Sequence, residues 1–179
     1  MSRLVAHLAA PVTHEDHAQG RQDAAAVTLL QYGDYECPYT RMSRHSINAL
    51  QREFPDTLRF VFRHFPLAEI HPHARAAAFA AEAAGRQADF WAMHEYLFEH
   101  QHALEDADLH QYALDLGLKP VRFDRDRTSP EVARRIDRDR ASGEPTLRGV
   151  DSAGVMGTPT FYVNGVRHDV LACPATAWV

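Results

Sequence analysis

The sequence predicts an α/β domain that is interrupted by a block of helices. Three observations support this fold class: a strand–helix–strand pattern in residues 28–65, helical periodicity through residues 71–143, and a hairpin signal in residues 158–170. No internal repeat or low-complexity linker separates these parts, so we expect the 179 residues to fold as one unit.

The first strand–helix–strand pattern has clear boundaries. Residues 28–35 form an apolar and aromatic run of strand length, and Pro38 marks the first turn of the next helix. That helix is predicted to end before Pro55, and residues 58–65 then alternate with the period of a strand. Its apolar residues recur near helical spacing: Met42, Ile47, Leu50 and Phe54.

The middle of the chain predicts about four helices, from apolar periodicity and from Pro, Ser and Gly at their ends. Their ranges are 71–85, 89–101, 106–118 and 129–143. The dipeptide Asn164-Gly165 between two short β runs then predicts a two-residue hairpin turn. Residues 1–26 have no period and are expected to form a loose lead-in.

Composition narrows the class of protein. The chain is 45% hydrophobic and 24% charged, which is typical of globular proteins. Its longest apolar run, Ala24 to Tyr32, is too short for a membrane span, and its first residues lack a convincing signal-peptide cleavage site. A net charge of −5 argues against nucleic-acid binding, and two cysteines cannot form a disulfide framework. We therefore expect a cytoplasmic protein.

Four segments carry a family resemblance: YGDYECPYT, RHFPL followed by IHPHA, FWAMHEYLFEH and GVMGTPTFYVNG. With these segments in order over residues 14–169, the chain resembles the DsbA-like branch of the thioredoxin-fold oxidoreductases. The resemblance implies a thioredoxin fold split by a helical subdomain. Residues 27–66 and 152–179 would form the thioredoxin-like domain, and residues 67–151 would form the inserted helices.

The same resemblance implies where the site lies. Cys37 would be the attacking thiol, and the loop at Thr158-Pro159 would face it with a cis peptide bond. Pro38 and Tyr39 would contact the substrate beside the thiol, together with Thr158 and Pro159.

The chain departs from the family pattern in two places. Thr40 stands where the family has its second motif cysteine, and the ending LACPATAWV is too short for the family's closing helix. Without that helix, one apolar sheet face would be open, and exposed apolar patches usually mark association. We therefore expect a homodimer that buries this face.

The position of Cys37 between a strand and a helix is suited to a reactive thiol. The unpaired amides of the first turn and the helix dipole favour the thiolate, which is the nucleophile. Thr40 lies one turn away on the same side, where its hydroxyl could donate a hydrogen bond to the sulfur but cannot attack a disulfide. A mixed disulfide at Cys37 must therefore be resolved by an external thiol such as glutathione, or by the substrate's own second cysteine.

These arguments predict a monothiol thiol–disulfide oxidoreductase, a reductase or isomerase rather than an oxidase. Its substrates would be protein or peptide disulfides, with glutathione as a co-substrate and no tightly bound cofactor. Two alternatives stay open: a redox-silent domain that binds peptides in the same groove, and a glutathione-dependent transferase-like enzyme. Cys173 is expected to be a free thiol in the tail, although it is the other candidate for resolving a disulfide.

The twelve histidines do not predict a metal site, because no cysteine or carboxylate spacing completes a ligand set around them. The histidines are expected to be solvated residues at helix ends. Asp34 and Glu36 precede the thiol and either disfavour the thiolate or are surface charges. The close histidine pairs are His71 with His73 and His100 with His102.

Overall fold

A computed structural model describes residues 6–23, 27–144 and 154–168. The strands of this part are β1 (His17–Gly20), β2 (Val27–Gly33), β3 (Leu58–His64), β4 (Thr160–Val163) and β5 (Val166–His168). The helices are α1 (Pro38–Glu53), α2 (Ala74–Gly85), α3 (Phe90–Glu99), α4 (Asp106–Asp115), α5 (Pro120–Arg127) and α6 (Pro130–Gly143). No helix in these ranges is long and apolar enough to cross a membrane.

The five strands form one mixed sheet in the order β1-β3-β2-β4-β5. Strands β2 and β3 are parallel, with Leu30 opposite Val61, and α1 connects them. The other pairs are antiparallel, and β4 and β5 are joined by Asn164-Gly165. Both turn residues have positive φ angles, 49° and 78°, as a type I′ hairpin requires. The predicted α/β class with its helical insertion is confirmed.

The two central strands are buried on both faces because helices or loops cover each side of the sheet. Leu29, Phe60 and Phe62 point to the face that packs against the inserted helices. Leu30 and Val61 point to the opposite face, where residues of the N-terminal segment pack beside them. The alternation of side chains along β2 and β3 therefore places the core on both sides of the sheet.

The described part of the insertion between β3 and β4 contains five helices instead of the four that the periodicity predicts. The additional helix is α5, which begins with Pro120 and has eight residues. Phe123 is its one buried apolar residue, so its sequence has too little hydrophobic periodicity to indicate a helix. The predicted ranges of the other four helices are otherwise close to the observed ones.

The first 26 residues differ from the predicted loose lead-in, because residues 17–20 form strand β1 at the edge of the sheet. The sequence of this strand, HAQG, lacks apolar alternation and therefore gives no strand signal. Tertiary contacts fix it instead. Arg63 Nε donates to Asp16 Oδ1 at 2.8 Å, and both side chains are almost fully buried.

The apolar side of α1 is only partly buried. Ile47 lies in the core, whereas Met42, Leu50 and Phe54 are exposed. Leu50 and Phe54 line an apolar groove between α1 and the sheet, which we call the α1 groove. Its lining includes Val27, Leu29, Leu50, Phe54, Phe161 and Val163.

Replacing Gly143 by Ala is expected to destabilise the fold by about 1–3 kcal/mol, because the new methyl group overpacks the core. A Cβ at this position would lie 2.9 Å from Val155 Cγ2 and 3.0 Å from ring atoms of Phe65 and Tyr32. Urea unfolding measures the change in the free energy of unfolding. Gly157→Ala is the control, since nothing lies within 4 Å of its Cβ. Equal midpoints for the two variants would contradict the close packing at Gly143.

Candidate active site

Cys37 is the N-cap of α1, and Pro38 occupies the first helical position. Its side chain is 3% exposed, and its Sγ–H donates to the carbonyl oxygen of Thr158 at 3.2 Å. The Thr158–Pro159 peptide bond is cis. The fold therefore brings together the thiol and the proline loop, which are 121 residues apart in the sequence.

The turn before Cys37 is organised by the buried carboxylate of Asp34. Its Oδ1 accepts a hydrogen bond from the Glu36 amide at 2.8 Å. Its Oδ2 accepts from the Leu67 amide at 2.9 Å and from His71 Nδ1 at 2.8 Å. The Cys37 amide also donates to the Asp34 carbonyl at 3.2 Å. Asp34 is therefore a structural group of the turn, and its assignment as a surface charge is wrong.

Glu36 is held by a second histidine of the same loop. One carboxylate oxygen of Glu36 accepts from the His73 amide at 2.6 Å, and the other from His73 Nδ1 at 2.9 Å. The hydrogen bond to Glu36 raises the pKa of His73, and Glu105 on its other side adds to this effect. His71 thus pairs with Asp34 and His73 pairs with Glu36, the two acidic residues that precede Cys37.

Thr40 lies one turn after Cys37 and is fully buried. Its Oγ1 accepts a hydrogen bond from the Asp34 amide at 3.5 Å. Among the contacts of the described residues, the predicted hydrogen bond from Thr40 to the Cys37 sulfur is not made, and the sulfur contacts Thr158 instead. Thr40 therefore fills the position of a second thiol with a side chain that supports the turn.

Both segments that form the Cys37–Thr158 contact carry exposed apolar side chains. Pro38 and Tyr39 are exposed on the first turn of α1, and Met42 is exposed on the second. Met156 is 79% exposed just before the cis-proline loop. The exposed side chains on both segments offer an apolar rim to a molecule that approaches the thiol.

The sequence gives no signal for Gln101, which attaches the inserted helices to this turn. Its side-chain Nε2 donates to the carbonyl oxygen of Tyr35 at 2.7 Å and to that of Cys37 at 2.9 Å. Gln101 follows α3, 64 residues after Cys37, and no local pattern distinguishes it from an ordinary surface glutamine. Its two bonds fix the backbone on both sides of Glu36.

Tyr35 anchors the turn in the core. Its hydroxyl lies 3.0 Å from His94 Nδ1, and both side chains are buried. Burial lowers the pKa of His94 well below its ordinary value, with a further contribution from Arg44. His94 is therefore a neutral acceptor for the Tyr35 hydroxyl, and its expected position as a solvated histidine is wrong. His64 is likewise buried.

The chain belongs to the thioredoxin family, since the family model described as "Thioredoxin" matches residues 12–175. Solved structures of other proteins are similar to this chain. A thioredoxin-like oxidoreductase from Silicibacter pomeroyi is 25% identical, with a TM-score of 0.71 over 87% of this chain and 83% of that one. BdbD from Bacillus subtilis is 23% identical, with a TM-score of 0.72 over 93% and 89% of the two chains, and shows the shared fold.

Curated relatives with higher identity have a different description. A protein of Salinispora arenicola described as "Na(+)/H(+) antiporter NhaA 1" is 42% identical over 94% of this chain, and one of Mycolicibacterium vanbaalenii with the same description is 41% identical over 86%. The chain spans about a quarter of the length of these relatives, 24% in both cases. The similarity therefore concerns one part of each longer protein.

Replacing Gln101 by Ala is expected to destabilise the protein by about 1–3 kcal/mol, because the buried Tyr35 carbonyl loses the Gln101 donor, while the Cys37 carbonyl keeps the Arg41 amide as a donor. Gln101→Glu is expected to cost more at pH 7, because a carboxylate would face two carbonyl oxygens, and to regain part of the loss once that carboxyl is protonated at low pH. Urea unfolding at several pH values measures both effects. Gln111→Ala is the control, since Gln111 bonds only to Asp115 on the surface of α4. A Gln101→Ala variant as stable as this control would show that the turn does not depend on Gln101.

Proposed function

We propose that this protein is a thiol–disulfide oxidoreductase of monothiol type, with Cys37 as its nucleophile. The observation that carries the proposal is the arrangement of one cysteine at a helix N-terminus, facing a cis-proline loop, with Thr40 one turn further along. Family membership supports the general class of reaction. The replacement of the second motif cysteine by Thr40 supports the monothiol type.

The reaction would consist of two exchanges. Cys37 gives up the proton that it now donates to Thr158, and its thiolate attacks one sulfur of a substrate disulfide. A bond forms between Cys37 and that sulfur, and the other substrate sulfur leaves as a thiolate. A second thiolate, from glutathione or from the substrate, then attacks the mixed disulfide. This step forms a new disulfide and returns Cys37 as a thiolate, so that the enzyme undergoes no net oxidation.

The site favours protein or peptide substrates. An extended peptide could pair with the backbone beside Pro159 as an added strand, and the apolar rim defined by Tyr39, Met42 and Met156 would contact its side chains. Glutathione would act as a co-substrate, without a tightly bound cofactor. We place this activity in the cytoplasm, where small thiols that resolve mixed disulfides are abundant.

A redox-silent peptide-binding domain is the second candidate function. It is favoured by the burial of Cys37, which is 3% exposed and donates its S–H to Thr158. A thiol in this state must lose that contact before it can attack a substrate. In a binding domain, the contact between Cys37 and Thr158 would hold the cis-proline loop against the N-terminus of α1, and peptide binding would not need the sulfur.

Replacing Thr40 by Cys is expected to make disulfide reduction independent of glutathione. Residues one helical turn apart satisfy the Cα–Cα range of a disulfide, roughly 4.4–6.8 Å, and a cysteine has about the size of the buried threonine. The thiolate of the new side chain can attack Cys37 Sγ in the mixed disulfide, which forms an internal disulfide and releases the bound substrate sulfur as a thiolate, so that one equivalent of substrate per enzyme is reduced without glutathione. Turnover of a peptide disulfide, with and without glutathione, measures the change.

All variants in this experiment carry Cys173→Ala, so that Cys37 is the one native thiol. Ser43→Cys is the matched control, because its position is about 9 Å further along the helix axis than Cys37 and cannot bridge it. The parent protein should form a Cys37–glutathione disulfide that mass spectrometry detects, and should turn over with glutathione alone. Absence of this adduct, together with peptide binding that survives Cys37→Ala, would overturn the enzymatic proposal in favour of the binding domain.

We also propose that the α1 groove binds a second copy of this chain. Two copies related by a two-fold axis would place the same apolar side chains against each other. No lysine, arginine, aspartate or glutamate is among the residues that line the groove, so that a symmetric contact would meet no like-charge repulsion. Val27, Leu50 and Phe54 are each exposed by about two fifths, which leaves apolar surface for such a contact.

Replacing Leu50 by Glu is expected to convert this dimer into a monomer, because the interface would bury two unpaired carboxylates. Light scattering coupled to size-exclusion chromatography measures the molar mass. Leu114→Glu is the matched control, since Leu114 is a similarly exposed leucine on α4, outside the α1 groove. A parent protein that is monomeric at high concentration would overturn the proposed dimer.

A further inference from the structure

Three side chains with metal-binding atoms converge from three different elements of the fold. They are His17 on β1, His64 at the end of β3 and Glu82 on α2. The Nε2 atoms of His17 and His64 lie 2.7 Å and 2.8 Å from the same oxygen, Glu82 Oε1. All three ligand atoms lie within 4.8 Å of one another. Neither the proposed reaction at Cys37 nor the contacts of its turn use this group.

We propose that His17, His64 and Glu82 bind a divalent transition-metal ion of the zinc class. Two imidazoles and one carboxylate form a known set of three protein ligands for Zn²⁺, which leaves a fourth position for water or another ligand. With metal–ligand distances of about 2.0–2.2 Å, the ligand atoms of a tetrahedral site are roughly 3.3 Å apart. The observed separations of 2.7 Å and 2.8 Å therefore need to widen by about 0.5 Å, which small side-chain rotations can supply.

The protons of the group can rearrange to free all three ligand atoms. Each histidine now donates an Nε2–H to the carboxylate, and metal binding needs Nε2 without its hydrogen. In each histidine, the hydrogen can move from Nε2 to Nδ1 of the same ring; for His64 this atom has no hydrogen-bond partner among the described residues, so that no other donor has to be displaced.

The surroundings leave one open side. His64 and Glu82 are buried, whereas the His17 side chain is 21% exposed and stacks on Phe90 with 3.4 Å between ring centroids. The stacking orients the imidazole, and the exposed side gives an ion and a fourth ligand access to it. Arg135 Nε lies 3.5 Å from Glu82 Oε1, and its charge is shared with Asp139, which is 3.7 Å from Arg135 Nη2. Asp139 thus offsets the nearby cation that would otherwise repel a metal ion.

The metal would link the edge strand β1 to β3 and α2, so that its binding should stabilise the fold. The test titrates Zn²⁺ into chelator-treated full-length protein by calorimetry, and records thermal unfolding with and without Zn²⁺. A Cys37→Ser/Cys173→Ser background removes both thiols, and Co²⁺ absorption without a thiolate charge-transfer band identifies nitrogen and oxygen ligands. His17→Gln is the test variant, and His45→Gln on the exposed side of α1 is its matched control.

We expect one Zn²⁺ per chain in the thiol-free protein and in His45→Gln, with a rise in the unfolding temperature. In His17→Gln, the affinity should fall at least tenfold and the stabilisation by Zn²⁺ should be lost. Binding that disappears with the thiols would assign the ion to cysteine and overturn the proposal. So would a failure to bind Zn²⁺, or equal affinities of His17→Gln and His45→Gln. None of these outcomes depends on activity at Cys37.

Discussion

The buried carboxylate of Asp34 is the interaction on which the candidate site depends. A carboxylate without exposure is costly unless each oxygen is hydrogen-bonded, and here two amides and one imidazole supply those bonds. They join the end of β2 to the active-site turn and to the loop before α2. Because the Asp34 carbonyl also accepts from the Cys37 amide, the same residue fixes the point where α1 begins. The hydrogen bonds that stabilise the buried Asp34 carboxylate therefore also help to place the Cys37 thiol.

Two further residues hold the turn by hydrogen bonds, and both lie far from it in the sequence. Gln101 extends from the inserted helices to the carbonyl groups of Tyr35 and Cys37. Thr158, after the insertion, accepts the S–H of Cys37. The helical insertion therefore contributes to the site in two ways, because it supplies Gln101 and returns the chain to the sheet beside α1. Each contact pairs a buried polar group of the turn with a partner from another part of the chain.

Short sequence patterns predicted the strands and turns that are determined by neighbouring residues along the chain. An apolar and aromatic run of strand length predicted β2, alternation predicted β3, and Asn164-Gly165 predicted a turn that needs two positive φ angles. Strand β1 and helix α5 were missed because edge pairing and a single buried phenylalanine stabilise them, without a periodic apolar face. Spacing along the chain could not identify Gln101 or the group of His17, His64 and Glu82 either. Their partners come from separate elements, and only the packed sheet brings them together.

Thr40, which stands at the position of the second motif cysteine, contributes to the structure of the turn that places Cys37. Threonine is close to cysteine in size, so the buried position one turn from Cys37 stays filled. Its hydroxyl accepts the Asp34 amide at 3.5 Å, which makes the side chain a part of the turn. The contacts that place Cys37 use Asp34, Gln101 and Thr158, and none of them involves a second sulfur. The position of Cys37 at the helix terminus therefore depends on hydrogen bonds of the turn and not on a contact with a second sulfur.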